Sequence, residues 1–158
     1  MSESTKKLGI GVDPGSSSGA VAMVKDGKVE IFRFKNASEE EIAGHFEYLR
    51  RYMLQGYTVR AVIERVHSMP DQGVSSSFKF GMNYGFLRAC LISQRIPFSD
   101  STPKNWQKLY HLQKHKNESK ADFKRRGKEV AQNLYPGQVK AIPDADAVLI
   151  GHYALSLI

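Results

Sequence analysis

Cysteine is almost missing from this chain. Cys90 stands alone among 158 residues, so no internal disulfide can form and no thiolate cluster can hold a metal. It lies in the apolar run from Leu87 to Ile92, where a small buried hydrophobe is the expected role. Acidic residues are also scarce: 16 Asp and Glu stand against 23 Lys and Arg, which leaves a net charge of +7 and a pI near 9.5. No apolar run approaches the roughly 20 residues of a membrane span, and the polar segment from Met1 to Lys7 lacks the apolar centre of a signal peptide. These absences argue against a disulfide-stapled secreted domain, a thiolate zinc protein and an integral membrane protein. A reducing, cytoplasmic setting is expected, and the positive surplus points to a polyanionic partner, nucleic acid first.

The length suits a single domain spanning 1–158 with its own core, the first seven residues being flexible. Leu8 to Val12 is a short apolar run that breaks at Asp13-Pro14-Gly15, the pattern of a strand entering a turn. Gly19 to Val24 and Lys28 to Phe34 flank Asp26-Gly27, a hairpin signal, so the first three strands form an antiparallel meander. Ser38 and Glu41 make a capping box for a helix carrying Ile42, Phe46, Leu49 and Met53 up to Gly56. Val59 to Ile63 is a fourth strand, Ser75 to Gln94 a long helix, Phe98 to Ser101 a fifth strand, and Pro103 opens a short helix with Trp106. A polar, basic connection over 111–118 leads to a helix from Ser119 to Leu134, and a last helix starts near Pro143. Strands followed by alternating helix and strand predict an α/β fold: a five-stranded mixed sheet, the meander plus two parallel strands, with helices on both faces.

Asp13 ends the first strand and Glu64 the fourth. If those strands are parallel neighbours, both carboxylates emerge at the edge where open α/β sheets place ligands. Asp146 sits in the first turn of the last helix, and packing that turn over the strand ends adds a third. Three clustered acids repel unless protons or a cation neutralise them. Oxygen-only donors suit Mg²⁺, with Mn²⁺ able to substitute, and two such ions about 3.5–4 Å apart can clamp a phosphodiester displacement. Each acid also has an ordinary role: Asp13 as a turn residue, Glu64 as a solvated acid beside Arg65, Asp144 and Asp146 as helix caps. Their order along the chain carries more weight than any one of them.

The segments Gly11-Val12-Asp13-Pro14-Gly15, Gly19-Ala20, Val62-Ile63-Glu64 and Asp144-Ala145-Asp146-Ala147 resemble the RuvC family of Holliday-junction resolvases, which have a ribonuclease H-like fold. The stretches from Val74 to Trp106 and from Arg126 to Pro136 are similar to the phage and chloroplast branches, and the likeness runs from Leu8 to about Leu155. The resemblance implies a homodimeric, Mg²⁺-dependent endonuclease of a bacterial or phage-infected cell that nicks two opposing strands of a four-way junction. Asp13, Glu64 and Asp146 then hold the metal, two ions per active site. Bacterial members carry two aspartates three apart at the start of the last helix, whereas Asp144 and Asp146 are two apart and face different ways on a helix. Asp144 is therefore a second candidate ligand, a helix cap, or a ligand from a non-helical backbone.

Nine basic residues fall between positions 104 and 128: Lys104, Lys108, Lys114, Lys116, Lys120, Lys124, Arg125, Arg126 and Lys128, opposed by Glu118 and Asp122 alone. Such a patch suits phosphate contacts, or else a solubilising helix face, and Lys120 or Lys124 could stabilise charge developing on a phosphate. The long helix has two apolar faces, Phe78-Met82-Phe86-Ala89 and Phe80-Tyr84-Leu87-Leu91. One is expected on the sheet and the second, assigned to Phe80, Tyr84, Leu87 and Leu91, in a dimer interface, unless the helix is wholly buried. His67, Met69 and Phe78 follow Glu64 and are candidates for contacting or wedging the junction. Two other readings compete. Asp13-x-Gly15 also resembles the phosphate loop of the actin and sugar-kinase ATPases, but that architecture needs two such domains. A related nuclease acting on another branched DNA or on RNA would share every feature above.

Overall fold

The computed structural model describes residues 5–65, 67 and 70–158. Asp26 and Gly27 both take positive φ, 50° and 72°, the backbone of the two-residue turn that matches strand twist, and Lys25 pairs with Lys28 across it. This turn joins β2 (Ala20–Lys25) to β3 (Lys28–Arg33), while β1 (Lys7–Asp13) pairs antiparallel with the other side of β2. On its far side β1 pairs in parallel with β4 (Thr58–Glu64), which pairs in parallel with β5 (Phe98–Ser101). The sheet order is β3-β2-β1-β4-β5, as the meander and the two later strands predicted.

Helix starts follow local chemistry. Ser38 Oγ accepts from Glu41 N–H (3.1 Å) at α1 (Glu39–Leu54), and Ser119 Oγ accepts from Asp122 N–H (3.1 Å) at α4 (Lys120–Leu134). Thr102 caps α3 (Pro103–Gln107) through Asn105 N–H, and a 3-10 turn over Lys108–Tyr110 follows. The last helix, α5 (Ile142–Ser156), starts at Ala141 with no side-chain cap, so neither Asp144 nor Asp146 serves as one.

Strand alternation splits the core in two. Leu8, Ile10, Val12, Val21, Met23, Ala61 and Ile63 face α1 and α2 (Val74–Ser93). Ala20, Ala22, Val24 and Val62 face α5, together with Trp106 of α3 and Ala131 of α4. The expected assignment of the α2 faces is reversed. Leu87 and Leu91 are fully buried against the sheet, and Tyr84 gives its phenol O–H to Asp100 of β5. Val74, Phe78, Phe80, Met82 and Ile92 are the exposed large apolar residues of α2, with Gly81, Gly85 and Ala89 exposed between them. The polar residues of α2, Lys79, Asn83 and Arg88 among them, are too few and too scattered to single out one apolar face by periodicity. No described helix is long and apolar enough to cross a membrane.

The tightest packing is between α5 and β1. A Cβ on Gly11 would stand 2.1 Å from Ala147 O and 2.3 Å from Gly151 N, and one on Gly9 would stand 2.2 Å from Gly151 O. All three obstacles are backbone atoms, so the helix can lie this close only where the strand has no side chain. Gly11→Ala is expected to lower unfolding free energy by about 3 kcal/mol. Gly44→Ala, where nothing lies within 4 Å of the new methyl, should leave stability unchanged or raise it by up to about 1 kcal/mol. Urea unfolding measures both, and a Gly11→Ala midpoint equal to that of the parent chain would refute the close contact.

Candidate active site

The parallel register runs through Gly11–Val62 and Val12–Ile63, so the next residues, Asp13 and Glu64, end adjacent strands side by side. By strand parity both lie on the sheet face that carries Gly9 and Gly11, the face covered by α5. The glycine contact brings the first turns of α5 against the ends of those strands, and with them Asp146. A cleft of about 430 Å³ opens there, lined by Asp13, Pro14, Ser18, Glu64, Phe80, Lys120, Lys124, Ile142, Pro143 and Asp146. Its acids come from three elements far apart in sequence, its lysines from α4, and its apolar rim from Phe80, Ile142 and Pro143.

Electrostatics in the cleft follow from burial of like charge. Burial, and after it the neighbouring Glu64 and Asp146 carboxylates, push Asp13 well above the usual carboxylate range. Burial also lifts Glu64 to about 7, against the opposing pull of its hydrogen bond from Trp106. Lys124 Nζ donates to Asp146 Oδ2 at 2.7 Å. Its own burial disfavours the ammonium, but Asp146, Asp13 and Glu64 together outweigh that and hold it charged. Trp106 Nε1–H donates to Glu64 Oε2 at 2.7 Å, and Gly15 N–H donates to Asn83 Oδ1 at 2.9 Å, tying the turn after Asp13 to α2.

Three carboxyl groups face two lysines, Lys120 and Lys124, so acids outnumber cations in the cleft, and its donors are oxygens, which suits a hard divalent cation. Among the described residues, no three His, Cys, Asp or Glu side chains are already drawn together into a ready-made cage. Lys124 donates to Asp146 and Trp106 to Glu64, so two of the three acids are held by protein donors. The residues fit such an ion in charge and chemistry, with Lys124 as the cation that Asp146 holds here.

Asp144 does not join this cluster. It is 2% exposed, and Arg33 of β3 grips it with two parallel hydrogen bonds, Nε to Oδ1 at 2.7 Å and Nη2 to Oδ2 at 2.6 Å. Reading it as a second ligand is corrected: its carboxylate anchors the start of α5 to the edge strand. Arg126 is likewise occupied, donating to both carboxylate oxygens of Glu118 (2.8 and 2.9 Å) and to Gln113 O, so it clamps the loop before α4 and does not present a free phosphate contact. Arg125 pairs with Asp122 at 3.0 Å but stays exposed. Lys104 and Lys114 line a second groove of about 340 Å³ with Gln107, Leu112 and Gln113. Lys108, Lys116 and Lys120 are exposed. His67 is exposed, Phe78 is 68% exposed on the outer face of α2, and Met69 lies outside the described residues. Phe80, expected in a dimer interface, stands at the cleft instead.

Sequence reasoning missed Trp106, Asn83 and Arg33. Only the first left a signal: Thr102-Pro103 starts a helix directly after β5, the strand neighbour of β4, which carries Trp106 back toward Glu64.

The raised Glu64 has a consequence for stability. Its ordinary value is 4.5 and its folded value about 7, so the stability tied to its neutral form is complete below pH 4.5 and is lost as pH rises through about 7. Glu64→Gln removes that loss. In chelator, the variant is expected to gain on the order of 3 kcal/mol over the parent chain between about pH 4.5 and pH 8, measured by denaturant unfolding. A difference independent of pH would refute the raised carboxyl.

No protein-family model matches the sequence, and no curated protein matches it. Solved structures do. A T. thermophilus RuvC in complex with a Holliday junction substrate is similar with a TM-score of 0.59 and 13% identity, over 93% of this chain and 91% of that one. A Thermus thermophilus RuvC structure is similar with a TM-score of 0.58 and 15% identity, over 92% of each chain. At these identities the common property is architecture: the chain has the mixed five-stranded α/β fold of RuvC, a ribonuclease H-like sheet covered by helices on both faces.

Proposed function

We propose that this protein is a Mg²⁺-dependent DNA endonuclease that resolves four-way junctions, acting in the cytoplasm of a bacterial or phage-infected cell. The observation that carries the reading is the meeting of Asp13, Glu64 and Asp146 in one cleft flanked by Lys120 and Lys124. The RuvC fold supports it, since a solved neighbour with that fold is a complex with a Holliday junction substrate. Within that fold, the Phe- and Gly-rich α2 and the Pro103-Lys104 turn favour the phage and chloroplast branches.

Asp13, Glu64 and Asp146 hold the metal, two ions per site, with Mn²⁺ able to replace Mg²⁺. The ions supply activation of water and neutralisation of charge in phosphodiester hydrolysis. Lys120, exposed at the cleft, meets the incoming phosphate, and Lys124 offers its ammonium to charge developing there. Lys104, Lys108, Lys114 and Lys116 hold the DNA backbone, and Phe80 offers a flat apolar face beside the acids. Asp13→Asn is expected to slow Mg²⁺-dependent junction cutting by roughly 10³-fold, several kcal/mol of transition-state stabilisation, while junction binding is retained. Cutting by Asp13→Asn at the parent rate would overturn both the reading and its site.

Two symmetric cuts need two sites, and the partner is a second copy of this chain. Its seat is the outer face of α2, where Val74, Phe78, Met82 and Ile92 are exposed and Gly81, Gly85 and Ala89 permit close helix approach. Met82→Glu is expected to convert a dimer to a monomer in sedimentation at micromolar concentration and to uncouple the two cuts. A parent chain that sediments as a monomer with and without junction DNA would sink this assembly.

A further inference from the structure

Trp106 is the only tryptophan of the chain, and it is 1% exposed. A buried indole needs one acceptor for its N–H. Here that acceptor is not a backbone carbonyl of the surrounding core but Oε2 of Glu64, at 2.7 Å, a carboxylate that lines the acid cleft. The ring has little freedom to choose otherwise. Glu64 pairs in register with Ser101, and the next residue, Thr102, caps the short helix α3 that carries Trp106, whose own N–H bonds to Thr102 O. The ring belongs to the core cluster that includes Val62, Leu112, Ala145 and Val148, and lies edge-on to Tyr110 at 6.3 Å.

We infer that Trp106 is the positioning residue for Glu64: the indole N–H fixes one carboxylate oxygen and so sets how the acid faces the cleft, and Trp106 emission reports what the cleft holds. The inference rests on the cleft being a divalent-cation site, as proposed above. A ring that merely filled the core would need its bulk and not its donor. Trp106→Phe keeps an aromatic ring and removes the N–H, so it separates the two roles. Hydrogen-bond partners behind metal ligands typically set affinity by about 10–100-fold.

The test is Mg²⁺ titration of the full chain by calorimetry, with tryptophan emission followed in parallel. Trp106→Phe is expected to bind Mg²⁺ about ten-fold more weakly than the parent chain. Parent emission is expected to change saturably with Mg²⁺, and Glu64→Leu to shift the metal-free spectrum and abolish that response. Equal Mg²⁺ affinity in the parent chain and Trp106→Phe overturns the inference, and so does a Glu64→Leu spectrum identical to the parent. Should Trp106→Phe not fold, the emission titrations decide alone. A saturable parent response absent from Glu64→Leu supports the positioning role, and no parent response, or the same response in both, overturns it. Failure of the two readings is distinguishable. Weakened Mg²⁺ binding in Trp106→Phe with no junction cutting by the parent chain sinks the nuclease and leaves the inference standing. Cutting by the parent chain with unaltered Mg²⁺ binding in Trp106→Phe does the reverse.

Discussion

The candidate site depends on a contact between two backbones. At Gly9 and Gly11 the central strand presents no side chain, and α5 settles onto it until helix carbonyls and amides fill the space a methyl would need. Asp13 is two residues beyond Gly11 on the same strand face, and Asp146 is one residue before Ala147, whose carbonyl makes the closest approach. The glycine contact that packs the core therefore also sets the distance at which two acids from opposite ends of the chain face each other. Packing and chemistry cannot be varied independently here, because any side chain at Gly11 lifts the helix and the acid together.

The start of α5 also shows how one turn of helix can serve two ends. Asp144 and Asp146 are two residues apart, roughly 200° around the helix axis. One carboxylate meets a dedicated guanidinium with two short hydrogen bonds. The other meets two more acids and one lysine. A buried acid with a fork-shaped cationic partner has its charge compensated locally and holds its element in place. Acids crowded without full compensation have their protonation pushed toward neutral pH, as Asp13 and Glu64 do. Such crowding works against stability, and proteins keep it where they use it.

The sheet was legible because its signals are local: the Asp26-Gly27 turn, the Ser38 and Ser119 caps, and apolar runs of strand length each act within a few residues. The meeting of Asp13, Glu64 and Asp146 in one cleft was legible one level up, since strand order and parity place residues that end neighbouring strands. What could not be read was which face of α2, a helix with apolar residues on more than one side, turns inward. Leu87 and Leu91 took the core and left Phe78 and Met82 outside, a choice made by the shape of the sheet. Partners of charged side chains were equally hidden. Nothing near Arg33 in sequence points to Asp144, 111 residues away, and Arg126 within a basic run looks like its neighbours until Glu118 folds back on it. Ion pairs over long range are consequences of topology and become visible only once it is drawn.

Charge is distributed so that surface and cleft oppose each other. The chain carries a net +7, nine of its 23 basic residues lie between positions 104 and 128, and such a surplus favours a polyanionic partner. The cleft floor is a cluster of acids that repels the same polyanion at close range. A phosphate approaching the cleft meets acids that outnumber its two lysines, Lys120 and Lys124, and their ionised forms oppose its entry by Coulomb repulsion. Under the proposed function, divalent cations remove that barrier as well as supplying chemistry. Binding then needs only the basic surface, whereas close approach of the backbone to Asp13, Glu64 and Asp146 needs the cations, so affinity for DNA and cleavage of DNA are governed by separate parts of one small domain.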